Sequence, residues 1–186
     1  RASVIPLVHE SFDWQHGVFM GSMMGSEITA AVISDAIGQV RRDPFAMLPF
    51  IGYHVGDYLK HWLETGKRFE PGKLPRVFYV NWFMRDRDGC CLWPGFGENI
   101  RVLEWVFQRV MGRGKATETP IGLMPTANAI NRQGLPEMDD GRMACLLHID
   151  IGAWKKEVQG IRASYMRMGN RLPEGLMMEL KALEAR

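Results

Sequence analysis

Residues 76–112 read RVFYVNWFMRDRDGCCLWPGFGENIRVLEWVFQRVMG. The run RVFYVNWF is β-branched and aromatic over strand length. Asp88-Gly89 behind it is a hairpin signal, because glycine adopts positive φ without steric cost. A second short strand, CCLW, is expected to return. WPGFGEN then reads as a glycine loop, with Asn99 placed to cap a helix in which Ile100, Leu103, Phe107 and Val110 share one face. Gly112 ends that helix.

Working outward, residues 4–8 are apolar and β-branched enough for a buried strand. The following HESFDWQHGVFMGSMMGSE packs aromatic and small residues so densely that close backbone approaches are expected. Ser26 could cap a helix through Asp35, with Gly38 as its stop. Two prolines and three glycines over 37–56 make a long connection, and DYLKHWLETG has helical spacing up to Gly66. Residues 112–153 show few periodic signals, whereas 154–168 and 176–185 read as two C-terminal helices. The expected architecture is mixed α/β with a helical C-terminus.

The chain has 186 residues, 46% of them hydrophobic, and a formal charge of +2. That length can bury a core, and one domain is the natural expectation. Basic residues are scattered, so neither nucleic acid nor a membrane surface is indicated as a partner. Three cysteines, Cys90, Cys91 and Cys145, lack metal-ligand spacing and read as free thiols of a reducing cytoplasm. No apolar run approaches the roughly 20 residues that cross a bilayer. The five histidines also lack ligand spacing, and no metal ligand is assigned. The methionine pairs 23–24 and 177–178 read as core, and Arg41, Arg42, Arg85 and Arg87 as solvated or locally paired.

The loop from Asn81 to Asn99 offers what a planar base requires. Phe83 and Phe96 supply aromatic faces, Gly95 and Gly97 free backbone amides, and Asn99 brings a side-chain amide. Composition alone favours the alternative in which both rings are core, the glycines make a turn and Asn99 is only a cap.

WPGFGEN followed by RVLEW, with KLPxVFxVNWF upstream, resembles the guanine-site signature of GTP-dependent phosphoenolpyruvate carboxykinases. Further likeness runs through RxxxxPLV, WQHGVF, GSExTAA, RRDPFAMLPFxGYxxGDYxxHW and TPIG, close over residues 1–125 and looser beyond. The RRDPFAML wording is similar to the bacterial branch. The resemblance implies a reversible reaction in which oxaloacetate and GTP give phosphoenolpyruvate, carbon dioxide and GDP. It implies manganese at the catalytic centre, magnesium with GTP, and a cytoplasmic, monomeric enzyme of gluconeogenesis. Phe83 and Phe96 match rings that sandwich guanine, and Phe96-Gly97-Glu98-Asn99 matches the nucleotide-contacting loop, with Asn99 reading the base. Arg1 matches an arginine that meets the nucleotide phosphates and serves catalysis.

On this reading residues 1–186 form one C-terminal segment, 1–125 carrying the nucleotide site and the active-site lid and 126–186 a mainly helical tail. No GxxxxGK[ST] loop occurs and no strand ends in an Asp-Asp pair. The substrate domain, phosphate loop and metal ligands are therefore expected N-terminal to this chain, which should not catalyse alone, and the edge of its first strand should be an apolar cut surface. Two departures stand out: Cys91 replaces a third aromatic, and the segment matching the lid holds one extra residue. The competing readings are a non-catalytic guanine-nucleotide-binding module and an interaction domain whose aromatic loop is core.

Overall fold

The computed structural model describes residues 4–27, 40–70, 72–86 and 88–186. Its centre is a four-stranded antiparallel sheet. Strands β1 (Val8–Glu10), β4 (Phe78–Val80), β5 (Ala116–Thr119) and β6 (Gly122–Pro125) run in the order β4-β1-β6-β5. Val8 pairs with Val80 and Glu10 with Phe78, while Glu10 also faces Leu123. The first strand thus starts at Val8, later than the expected 4–8. Pro6 has no N–H to give a ladder, so pairing begins beyond it, although Ile5 and Leu7 are buried. β4 pairs β1 along its length, β6 meets it at Glu10, and all three of its residues are buried, so β1 does not present the expected apolar cut surface.

Alternation along β4 sends Tyr79 to one hydrophobic cluster, while Phe78 and Val80 pack against the other. The sheet therefore separates two cores. The first gathers α1 (Trp14–Ser22), α2 (Val55–Gly66), α5 (Ile151–Met166) and α6 (Glu174–Ala185) around Phe19, Leu59, Ile161, Tyr165 and Leu180. The second gathers α3 (Asn99–Val110) and α4 (Asp140–Leu146) around Trp93, Val102, Trp105, Met143 and Leu146. The expected mixed α/β fold and its two C-terminal helices are present.

Helix α1 has no exposed stripe, since His16 through Ser22 are all buried. Asp13 caps it by accepting from the His16 N–H at 2.8 Å. The expected close approaches occur here. A Cβ on Gly17 would stand 2.6 Å from Val77 Cγ2, and one on Gly21 would run into the Phe45 ring. Helix α2 begins at Val55, earlier than read, because His54 Nδ1 accepts from the Gly56 N–H at 3.0 Å.

Ser26 is not a helix cap. It lies in β2 (Gly25–Glu27), paired with Arg41 of β3 (Val40–Arg42). Arg42 of this ribbon makes a two-pronged pair with Glu157 of α5 at 2.5 and 2.9 Å, both side chains almost fully buried. The rest of the expected helix and Gly38 lie outside the described residues, as does most of the segment matched to the lid. No helix among the described residues is long and apolar enough to cross a membrane.

Candidate functional site

The site grows from the end of β4. Asn81, almost fully buried, donates its backbone N–H to Leu7 O at 2.9 Å and its side-chain amide to Ile5 O at 2.8 Å. Its Oδ1 accepts from the Phe83 N–H at 3.1 Å. This one residue stitches the chain to the segment entering β1 and fixes the backbone of Phe83, whose ring is 65% exposed.

A hairpin follows, as the Asp88-Gly89 signal predicts, but the returning strand CCLW is reduced to one bridge, Arg85 to Cys91. The reason is local. Asp86 Oδ1 captures the N–H groups of Asp88 in the turn and of Cys90 at 3.0 and 2.8 Å, so the Cys90 donor is lost to the ladder, which keeps Asp86 N–H to Cys90 O and Leu92 N–H to Met84 O, both at 2.9 Å. Arg142 of α4 fastens the returning arm by donating to the carbonyls of Leu92 and Cys91 at 2.7 and 2.8 Å. The three cysteines are free and exposed.

Trp93, 2% exposed, ends the hairpin inside the second core. Its indole N–H donates to Asn99 Oδ1 at 2.8 Å. Between the two, Gly95 takes φ 125°, open to glycine almost alone, and Phe96–Glu98 form a single 3-10 turn. Phe96 is 93% exposed, and a Cβ on Gly97 would meet no atom within 4 Å. Glu98 Oε2 accepts from Arg101 Nε at 2.5 Å, so the carboxylate is neutralised at its base.

Asn99 is the first helical residue of α3 (φ −58°, ψ −29°) with Glu98 in the cap position, so the capping role read for Asn99 is not what the fold gives it. Its oxygen is spent on Trp93 instead. The alternative that made Phe83 and Phe96 core fails on their exposure. Ile100, Leu103, Phe107 and Val110 are all exposed, whereas Val102 and Trp105 carry the buried side of α3.

The structure thus gathers Phe96, Gly97, Glu98 and Asn99 in one turn at the start of α3. Phe83 stands at the other end of the hairpin that leads into it. Arg1 lies outside the described residues. Among the described residues no group of three or more His, Cys, Asp or Glu side chains could hold a metal ion. Sequence reasoning assigned no role to Asn81, Trp93 or Arg142. A polar residue closing an apolar strand, and a donor-only indole near an asparagine, were the available signals.

A cleft of about 1030 Å³ lies elsewhere, lined by Glu10, Arg76 and Arg109 among others. It contains none of the predicted residues, and its two arginines are both paired to the buried Glu10, at 2.6 and 2.5 Å. Beside it, burial pushes the His9 imidazole down to about 3, aided by nearby His16. His16 is lowered to about 4 by burial and then by Arg186, against an opposing pull from Asp13. Neither histidine adjoins the aromatic loop in sequence.

These features define a mixed α/β domain that presents aromatic rings and a side-chain amide on an ordered turn. The family model described as "Phosphoenolpyruvate carboxykinase C-terminal P-loop domain" matches residues 1–186, and the chain belongs to that family. It is 52% identical over 187 residues to a protein of Treponema pallidum (strain Nichols) named phosphoenolpyruvate carboxykinase [GTP]. Proteins of the same name from Renibacterium salmoninarum and Neocallimastix frontalis are 49% identical over 186 residues and 48% over 189. Each alignment covers 100% of this chain and 30% of the relative, so the chain spans about a third of the length of these proteins.

Proposed function

We propose that this chain supplies the guanine-binding part of a GTP-dependent phosphoenolpyruvate carboxykinase, which interconverts oxaloacetate and GTP with phosphoenolpyruvate, carbon dioxide and GDP. Phe83 and Phe96 give the base its stacking planes, Gly97 leaves room beside it, Glu98 shapes the turn through Arg101, and Asn99 reads the base edge. Arg1 meets the phosphates, where a guanidinium neutralises charge that develops in phosphoryl transfer. The segment matched to the lid excludes water from that centre. The metals, manganese for catalysis and magnesium with GTP, find their ligands in the part of the relatives that this chain does not span. A monomer in the cytoplasm, free of nucleic acid and membrane, is the setting this function fits.

The observation that carries the reading is the exposure of Phe83 and Phe96, at 65% and 93%, on backbone held firmly by Asn81 and the start of α3. Large apolar rings held in water on a fixed turn suit a planar partner better than a core. The test is a chimera in which this chain replaces the matching third of the Treponema pallidum relative, assayed for phosphoenolpyruvate carboxylation with GDP. Activity that falls on Asn99→Ala supports the proposal. An inactive chimera beside an active parent would overturn the catalytic reading, and GDP binding by that inactive chimera would favour a non-catalytic guanine module.

A further inference from the structure

Trp93 and Asn99 make a contact whose chemistry has one orientation. An indole N–H only donates, so the Asn99 atom facing it at 2.8 Å must be the carbonyl oxygen. Turning the amide over would set two donors against each other and leave a buried indole without an acceptor. Trp93 cannot give way, because it is 2% exposed, packed in the second core with the Trp82 ring 6.1 Å away. Asn99 is half-buried on the first turn of α3, and among the described residues its Nδ2 meets no acceptor.

We infer that Trp93 is the positioning residue of the base site: its indole claims Asn99 Oδ1 and leaves the amide nitrogen, a pure donor, as the group that reads the base. This rests on the proposed role of Asn99 as base reader and deepens it into a rule of selectivity. A purine with an acceptor on its six-membered ring at the 6-position, as in guanine, satisfies Nδ2. The 6-amino group of adenine sets donor against donor and is rejected. An amide free to flip would serve either purine, so without Trp93 the discrimination should weaken while stacking on Phe83 and Phe96 persists.

The experiment is calorimetric titration of the 186-residue chain with GDP and with ADP, unaltered and as Trp93→Phe, Asn99→Ala and the double variant. A second substitution at Trp93, 3-benzothienylalanine, keeps the bulk of the indole while sulfur replaces its N–H, so it tests the bond should the phenylalanine variant fail to fold. Loss of one such hydrogen bond is expected to lower the GDP-to-ADP affinity ratio by about tenfold. The double variant should discriminate no worse than Asn99→Ala, since Trp93 acts through that residue. A purely structural tryptophan would weaken both nucleotides alike. Selectivity retained in the Trp93 variants but lost in Asn99→Ala overturns the inference and leaves the reader assignment standing. Selectivity retained in Asn99→Ala, or absent from the unaltered chain, overturns the reader assignment itself.

Discussion

Phe96 holds an aromatic ring almost wholly in solvent, and it contributes little to the fold for that reason. Phe96→Ala should therefore leave stability within about 0.5 kcal/mol of the parent, as surface changes do. GDP binding should weaken by the roughly 1–3 kcal/mol that stacking of a base on an aromatic provides. Calorimetry beside urea unfolding separates the two, and a loss of stability without loss of binding would make the ring structural. Glu157 is the opposite case. Its two hydrogen bonds neutralise an arginine that is itself buried, so Glu157→Ala strands a cation in the core and should cost about 3–5 kcal/mol. Glu70 pairs with Lys73 where both are exposed at 75% and 72%, and Glu70→Ala should move the urea midpoint imperceptibly. The exposure of Phe83 and Phe96 was not legible from composition, where burial of an aromatic is the safer expectation, and their proposed role at the base came from the resemblance. The Arg42–Glu157 pair was invisible for another reason: its partners stand 115 positions apart in the chain.

At the scale of elements, α2, α5 and α6 were legible because each alternates buried and exposed positions at helical spacing. Helix α1 was not, since both of its flanks are covered and no polar stripe marks a period. Its glycines carry the packing. Gly17→Ala adds a methyl 2.6 Å from Val77 Cγ2 and 2.8 Å from Val77 Cβ. Alanine is the better helix former by about 1 kcal/mol, but overpacking costs roughly 1–3 kcal/mol. A net loss is expected on urea titration, and a gain would mean that Val77, just ahead of β4, moves aside freely. In α3 the four residues read as one face do lie together, yet outward, while Val102 and Trp105 face the core. The pattern gives the period of a helix but not which side meets the protein. The hairpin was legible at its turn and only in part in its ladder, because Asp86 Oδ1 diverts the Cys90 N–H from the pairing of the two arms.

For the whole molecule, pH acts through two buried histidines. Unfolded, each takes up a proton near its ordinary value of 6.5, whereas the folded His9 and His16 stay neutral to about 3 and 4. Between those limits the unfolded state binds more protons, so stability is full above pH 6.5 and falls as pH drops toward 4. The slope should approach about 1.4 kcal/mol per pH unit for each histidine. Urea unfolding at several pH values checks this, and His9→Phe should remove about half of the slope; an unchanged slope would contradict the assignment to His9. The sheet order and the split into two cores were not legible, since β5 and β6 are short strands in a stretch without marked periodicity.

The turn from Phe96 to Asn99, with Phe83, is proposed to read guanine. Titrating the 186-residue chain with GDP and then with ADP, without any variant, tests it most directly. GDP should bind at least about tenfold more tightly, the worth of one base-reading hydrogen bond. Equal affinities, or no binding of either, would contradict it and return the exposed rings to some other purpose.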